Sequence, residues 1–157
     1  VLPPNYTFVP TDFGVHTFTG VVLKTAGART LAVADTSNSS INGSAGTTVL
    51  PAAAASLQVY GIPSPIVINT PAAVTVKALD AYGNVAVSYT GTIQFSATDS
   101  AIFPGSGLPA DYTFIAGDAG LHVFLVPSGV TFLTPGTQSV TAFDLGAASI
   151  NFASMRS

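Results

Sequence analysis

The sequence predicts an all-β protein built as an antiparallel sandwich, and three observations carry that prediction. Apolar positions recur with period two: Val74, Val76 and Ala78 alternate with Thr75, Lys77 and Leu79, and Ile93, Phe95 and Ala97 with Thr92, Gln94 and Ser96. This is the pattern of strands with one face on a core. Turn formers (Gly, Pro, Asp, Asn) punctuate the chain roughly every 8 to 12 residues, as sandwiches require, for example at Gly61–Pro65, Asp80–Asn84 and Pro104–Pro109. Finally, no segment holds an i, i+3, i+4, i+7 stripe, and all seven acidic residues are Asp, a turn former, with no Glu.

The 157 residues repeat themselves. Leu2–Phe18 and Leu108–Phe124 are identical at nine of seventeen positions, at an offset of 106. After a three-residue insertion, Val126-Pro127-Ser128, the register resumes at 109 and pairs Gly20 with Gly129, Gly27 with Gly136, Asp35 with Asp144 and Ile41 with Ile150. Ala54–Asp99 has no counterpart before residue 1. The second copy therefore has a front half and a back half, and the first has a back half alone. Three parts follow: residues 1–50 as an incomplete repeat, 51–55 as an Ala/Pro linker, and 56–157 as a complete domain. A chain that opens on Val and inside a repeat is expected to be a piece of something longer.

Taken in order, the complete domain is expected to hold seven strands, near 56–60, 66–79, 87–97, 111–115, 120–133, 137–144 and 148–155. Residues 1–50 are expected to supply counterparts of the last four. Val74, Val76, Ile93, Phe95, Val140 and Ile150 are expected to point inward. A half sandwich has no opposing sheet, and each uncovered Val, Leu or Phe forgoes about 1.5–3 kcal/mol of burial. Residues 1–50 are thus expected to be ordered only where strands from outside this chain, of the type of Ser56–Asp99, complete them, whether from another copy of the protein or from chain upstream.

Composition narrows the function. Charged residues are 7% of the chain, against about 25% in ordinary soluble domains, so surface is expected to be hidden by association. The four bases, Lys24, Arg29, Lys77 and Arg156, form no stripe, which excludes a phosphate-binding face and hence nucleic acid as a partner. Cysteine is absent, removing disulfides and thiolate chemistry. No apolar run nears the length of about 18 residues that spans a bilayer. The sequons at Asn5, Asn38 and Asn42 are glycan acceptors only in a eukaryotic secreted chain.

Two motifs stand out. In Asp80-Ala-Tyr-Gly83-Asn84 a strand ends in an Asp suited to capping backbone N–H groups, and Gly83 and Asn84 tolerate positive φ. Asp80 and Asn84 are also the candidate calcium ligands, but a hard cation takes six or more oxygens and only these two cluster. Asp12-x-Gly14-x-His16-x-Phe18 and Asp118-x-Gly120-x-His122-x-Phe124 read as strand entries: an Asx-type turn, a glycine bend, then His outward and Phe inward, with His able to bond back to the backbone. One His per copy without a carboxylate or thiol cluster makes a poor metal site. Neither motif sets a nucleophile beside an oriented base, so no catalytic residue, cofactor or small-molecule substrate is expected.

The segments "VKALDAYGNVAVSYTGTIQFSATD", "DYTFIAGDAGLHVF", "TPGTQSVTAFD" and "VVLKTAGARTLAVADTSNSSINGSA" resemble bacterial immunoglobulin-like tandem repeats. These are the β-sandwich modules, distantly similar to the invasin and filamin types, of very long secreted or surface proteins. The resemblance implies an immunoglobulin-like fold and a non-enzymatic spacer, stalk or fibre role outside the cell, with copies of itself or adjacent repeats as partners. The alternative is an adhesin module binding a glycan or surface protein. The absence of Trp and the scarcity of charge leave little of the usual material for a recognition hot spot.

Overall fold

A computed structural model describes residues 1–147 and 150, and the backbone of 153–156. The chain is all-β and divides into two compact units, Val1–Leu50 and Pro51–Ser157. Among the described residues the helical elements are two three-residue 3-10 turns, Pro10–Asp12 and Ala116–Asp118, and no helix is long and apolar enough to cross a membrane.

The first unit contains one hairpin, β1 (Gly27–Ala34) paired antiparallel with β2 (Asn42–Val49). The second is an antiparallel sandwich. One sheet sets β4 (Val74–Asp80) between β3 (Ala54–Tyr60) and β9 (Leu121–Phe124). The other runs β11 (Ala153–Arg156), β10 (Ser139–Asp144), β5 (Thr92–Ala97), β8 (Tyr112–Thr113). The seven strands of these two sheets match the expected number. A tight parallel ladder between β6 (Phe103–Pro104) and β7 (Gly107–Leu108) decorates the turn before β8 and was not expected.

The core lies between the sheets. β4 buries alternate residues, Val74, Val76 and Ala78, while β5 contributes Ile93 and Phe95 and β10 Val140 and Ala142. Together with Ile150, all six residues expected inside are buried. At roughly 25 cal/mol per Å² of apolar surface removed from water, this alternation is what selects the register, since a one-residue slip would turn every one of these side chains to solvent.

Several strands are shorter than the sequence pattern suggests. Residues 66–73 stay out of the ladder because Pro65 and Pro71 lack N–H donors and Asn69 turns the chain at φ 60°. Its N–H is taken by the Phe132 carbonyl at 2.7 Å, and Ala72 exchanges two 2.8 Å bonds with Val130. Residues 87–91 curl into a turn in which the Tyr89 N–H meets the Ala86 carbonyl, so β5 starts only at Thr92. β9 stops at Phe124, before Pro127 and Gly129. The Ala/Pro stretch is not all linker, since β3 begins at Ala54. In the last expected strand, residues 148, 149, 151 and 152 lie outside the described residues, and β11 covers 153–156.

The first unit corrects the sequence reading most. Of the four strands expected there, only the counterparts of β10 and β11 form, as β1 and β2. The reason is visible in the second unit: β10 and β11 pair with each other, whereas β8 pairs with β5 and β9 with β4. β4 and β5 belong to the front half, which residues 1–50 lack. The hairpin also slips: Leu31 faces Ala45, although its copy Val140 faces Met155, which would place Leu31 opposite Gly46. With neither face buried, nothing holds the register.

Candidate functional site

The polar architecture of the second unit centres on four aspartates, Asp80, Asp99, Asp118 and Asp144, each closing a turn. Asp80 ends β4 with its side chain buried. One carboxylate oxygen accepts the N–H groups of Tyr82 (2.8 Å) and Asn84 (2.9 Å), and the other those of Ala52 (3.0 Å) and the Asn84 side chain (2.8 Å). Gly83, at φ 83°, lets the turn close. Burial pushes the carboxyl upward, but the bonds from the Asn84 side chain and the three backbone N–H groups outweigh it and hold the pKa at about 2. Both oxygens of Asp80 are spent on N–H donors, which gives the Asp80/Asn84 pair the chemistry of a turn clasp rather than of a cation's oxygen shell.

Asp99 does the same at the end of β5 and was not singled out from sequence. It is buried, and its oxygens accept from the N–H groups of Ala101 (3.0 Å), Leu133 (2.8 Å) and Thr134 (2.9 Å) and from the Thr134 hydroxyl (2.8 Å). Burial again raises its pKa and these bonds overcome it, to about 2. The readable signal was an Asp at a strand end, as at Asp80. Its partners, 34 and 35 residues downstream, carry no sequence mark.

The repeated motif folds alike in both copies. Asp118 closes the 3-10 turn by accepting the Ile115 N–H at 2.8 Å and the Tyr112 hydroxyl at 3.0 Å, and His122 Nδ1 lies 3.0 Å from its other oxygen. The His122 ring stacks on Tyr112, centroids 3.8 Å apart. In the first copy Asp12 accepts the Val9 N–H at 2.7 Å and the Tyr6 hydroxyl at 3.0 Å, and His16 stacks on Tyr6 at 3.5 Å. His122 meets a side chain, not the backbone. Being two residues from Phe124, it also shares that residue's side of the strand, with the rings 4.7 Å apart edge to face. The expected inward Phe stands at Phe124, and the expected outward His is corrected. Burial raises the Asp118 carboxyl, and the Ile115 N–H, His122 and Tyr112 bring it below its usual value. Burial and then Asp118 raise the Tyr112 phenol.

A second pair of turns is duplicated as well. Asp144 Oδ1 accepts the N–H groups of Gly146 (2.6 Å) and Ala147 (2.7 Å), and Asp35 Oδ1 those of Ser37 (2.7 Å) and Asn38 (2.9 Å). Asp144 Oδ2 takes the hydroxyl of Tyr89, a front-half residue. Among the described residues no group of three or more His, Cys, Asp or Glu converges on a common point.

The copies differ in what covers them. Phe8 is 56% exposed and its copy Phe114 1%, Val33 is 59% exposed and Ala142 0%, and Ile41 is 61% exposed and Ile150 6%. Leu2, Phe18 and Leu23 are exposed where Leu108, Phe124 and Phe132 are buried, and Leu31 is half-buried. No residue of 1–50 is buried. The exposed apolar face of this unit, rather than any cleft, is the candidate functional surface.

No family model matches the chain, and no curated protein matches it. Among solved structures, the chain is similar to two of the β-glucuronidase of Parabacteroides merdae, at 13% and 14% identity with TM-scores of 0.46 and 0.47. Each match covers 84% of this chain and 16% of that one, so the chain spans about a sixth of the glucuronidase. It is also similar to domains d3–d4 of the rat CD45 extracellular region, at 8% identity and a TM-score of 0.32, over 99% of this chain and 76% of that one. At these scores the fold assignment rests on the strand pairing and core of the chain itself.

Proposed function

We propose that this chain is a non-enzymatic structural module of an extracellular fibre, sheath or cell-surface stalk, joined to its neighbours by strand complementation between β-sandwich halves. One observation carries the reading: a back half that is buried in the second unit is repeated in the first with its apolar face exposed. Water contact along such a face is unfavourable by about 1.5–3 kcal/mol for each large side chain, and contiguous apolar surface of this kind marks an association site. Composition supports the same reading, since a chain with only four Lys and Arg offers few sites to trypsin-like proteases in an exposed setting. The aspartates support it too, because Asp80, Asp99, Asp118 and Asp144 each spend their oxygens on backbone N–H groups and on the Asn84, Thr134, Tyr112 and Tyr89 side chains that fasten their turns.

Electron microscopy of the native material, with the intact mass of its subunit, tests the proposal. Elongated particles with a regular sandwich-sized repeat are expected. Monodisperse globular subunits of 15.8 kDa in the native material would overturn it.

A further inference from the structure

The second unit shows what its back half is built to receive, at three points. Gly120 lies so close to the front half that a Cβ there would meet the Ala86 carbonyl oxygen at 2.6 Å, and the Gly120 carbonyl accepts the Ala78 N–H at 2.8 Å. Gly129 is tighter still, with the Ala72 carbonyl oxygen 1.9 Å from a Cβ position. Asp144 receives the Tyr89 hydroxyl. Ala72, Ala78, Ala86 and Tyr89 all belong to the front half.

The first unit keeps the receiving residues and lacks what they receive. Gly14 and Gly20, the copies of Gly120 and Gly129, have open space within 4 Å of a Cβ position. Asp35, the copy of Asp144, keeps the same Asx turn with no front-half tyrosine of its own. Segments 6–7 and 15–18, the copies of β8 and β9, stay outside any ladder, as strands do when the partners that bond them are absent. Glycines at positions that are open here and crowded in the copy are the mark of a close approach by another backbone.

The geometry points to one occupant: the exposed face of Val1–Leu50 docks a front-half segment of the Ala54–Asp99 type, with small-residue carbonyls seated on Gly14 and Gly20 and a tyrosine hydroxyl on Asp35. The inference rests on the strand-complementation reading above and names the partner that reading requires. The strand that plays the part of β4 adds antiparallel to Val15–Phe18, and the one that plays β5 adds to the free edge of β1. The donor lies outside these 157 residues. These 157 residues hold two back halves and one front half, so exchange among copies of this segment leaves as many uncovered back halves as there are copies. Such copies can cover every back half only by laying uncovered faces against each other, which uses none of the three seats.

The test adds a synthetic peptide with the sequence of residues 54–99 to the full chain and follows amide hydrogen exchange segment by segment. Protection is expected at Val15–Phe18 and Thr30–Asp35 with Leu121–Phe124 unchanged. Gly14→Ala should weaken peptide affinity about tenfold or more, by filling the seat of the Ala86-like carbonyl. Gly27→Ala, which also places a side chain at positive φ but in a position whose copy Gly136 is open, should leave affinity within about twofold. A peptide with Tyr89→Phe should bind severalfold more weakly. The inference fails if the peptide protects neither segment, if Gly14→Ala and Gly27→Ala act alike, or if the same segments become protected without peptide as chain concentration rises. Long native particles together with an unprotected Val15–Phe18 would leave the structural role standing and remove this occupant. Protection together with globular native subunits would do the reverse.

Discussion

Phe8 and Phe114 stand at the same position in two copies of one sequence unit, and one is wet where the other is fully enclosed. Most of the local chemistry around them is shared. Asp12 and Asp118 close the same turn, His16 and His122 stack on the same tyrosine, and Asp35 and Asp144 cap the same bend. The comparison separates two layers of folding that usually arrive together. Turns and side-chain clasps within about six residues form from the local sequence alone. Sheet pairing and burial follow only where the front half is present, because the bonds and the apolar cover come from strands remote in sequence.

The sharpest way to break this comparison is to measure exchange in the chain alone. Amides of β5 and β10 should exchange three or more orders of magnitude more slowly than those of β1 and β2, the gap expected when one set opens only by global unfolding and the other belongs to an uncovered hairpin. Equal protection would mean that the hairpin has cover of its own. Next in size is Val76→Asp, which sets an unpaired carboxylate at a fully buried position. It should cost about 4–5 kcal/mol and remove the cooperative melting transition of the second unit. A third test uses the copies directly: Phe114→Ala should cost about 3–5 kcal/mol and Phe8→Ala less than about 0.5 kcal/mol, both read by chemical denaturation.

Acid gives a smaller and graded effect. The carboxyls of Asp80 and Asp99 titrate at about 2 in the folded protein, below the usual Asp value of about 3.9. A depressed folded pKa binds fewer protons than the unfolded chain, so its stabilising contribution is complete above about pH 4 and is lost as pH falls toward 2. The melting temperature of the second unit should therefore fall across that window, and Asp99→Asn should flatten the slope. A profile that is level from pH 5 to pH 2 would show the clasps to be energetically idle. The smallest expected change is Tyr112→Phe, which removes the hydroxyl bond to Asp118 and should cost about 1 kcal/mol. Tyr6→Phe, in its exposed setting, should change the melting curve less.

How far the fold could be read from sequence follows the same division. Period-two alternation placed Val74, Val76, Ile93 and Phe95 inside because burial on one face leaves a local imprint. The Asp80 and Asp118 turns were readable for the same reason, since donor and acceptor lie within a few residues. Strand ends at 66–73 and 125–133 were not, because there the deciding partners, Ala72 and Val130, are 58 residues apart. Asp99 was missed on the same ground, as Leu133 and Thr134 give no local sign of it. The exposed face of the first unit was legible as an arithmetic fact of the repeat. The seats at Gly14, Gly20 and Asp35 needed the second unit's geometry.

The Asp80 clasp has a consequence for a chain under tension. Ala52 precedes β3 by two residues, and its N–H is held by the same carboxylate that fastens the turn after β4. A pull entering from the N-terminal side of the sandwich therefore reaches this grip before it reaches any rung between β3 and β4. Peeling β3 away must first break a charge-assisted bond whose acceptor is anchored by three others, so the load spreads into the turn instead of opening the ladder one rung at a time.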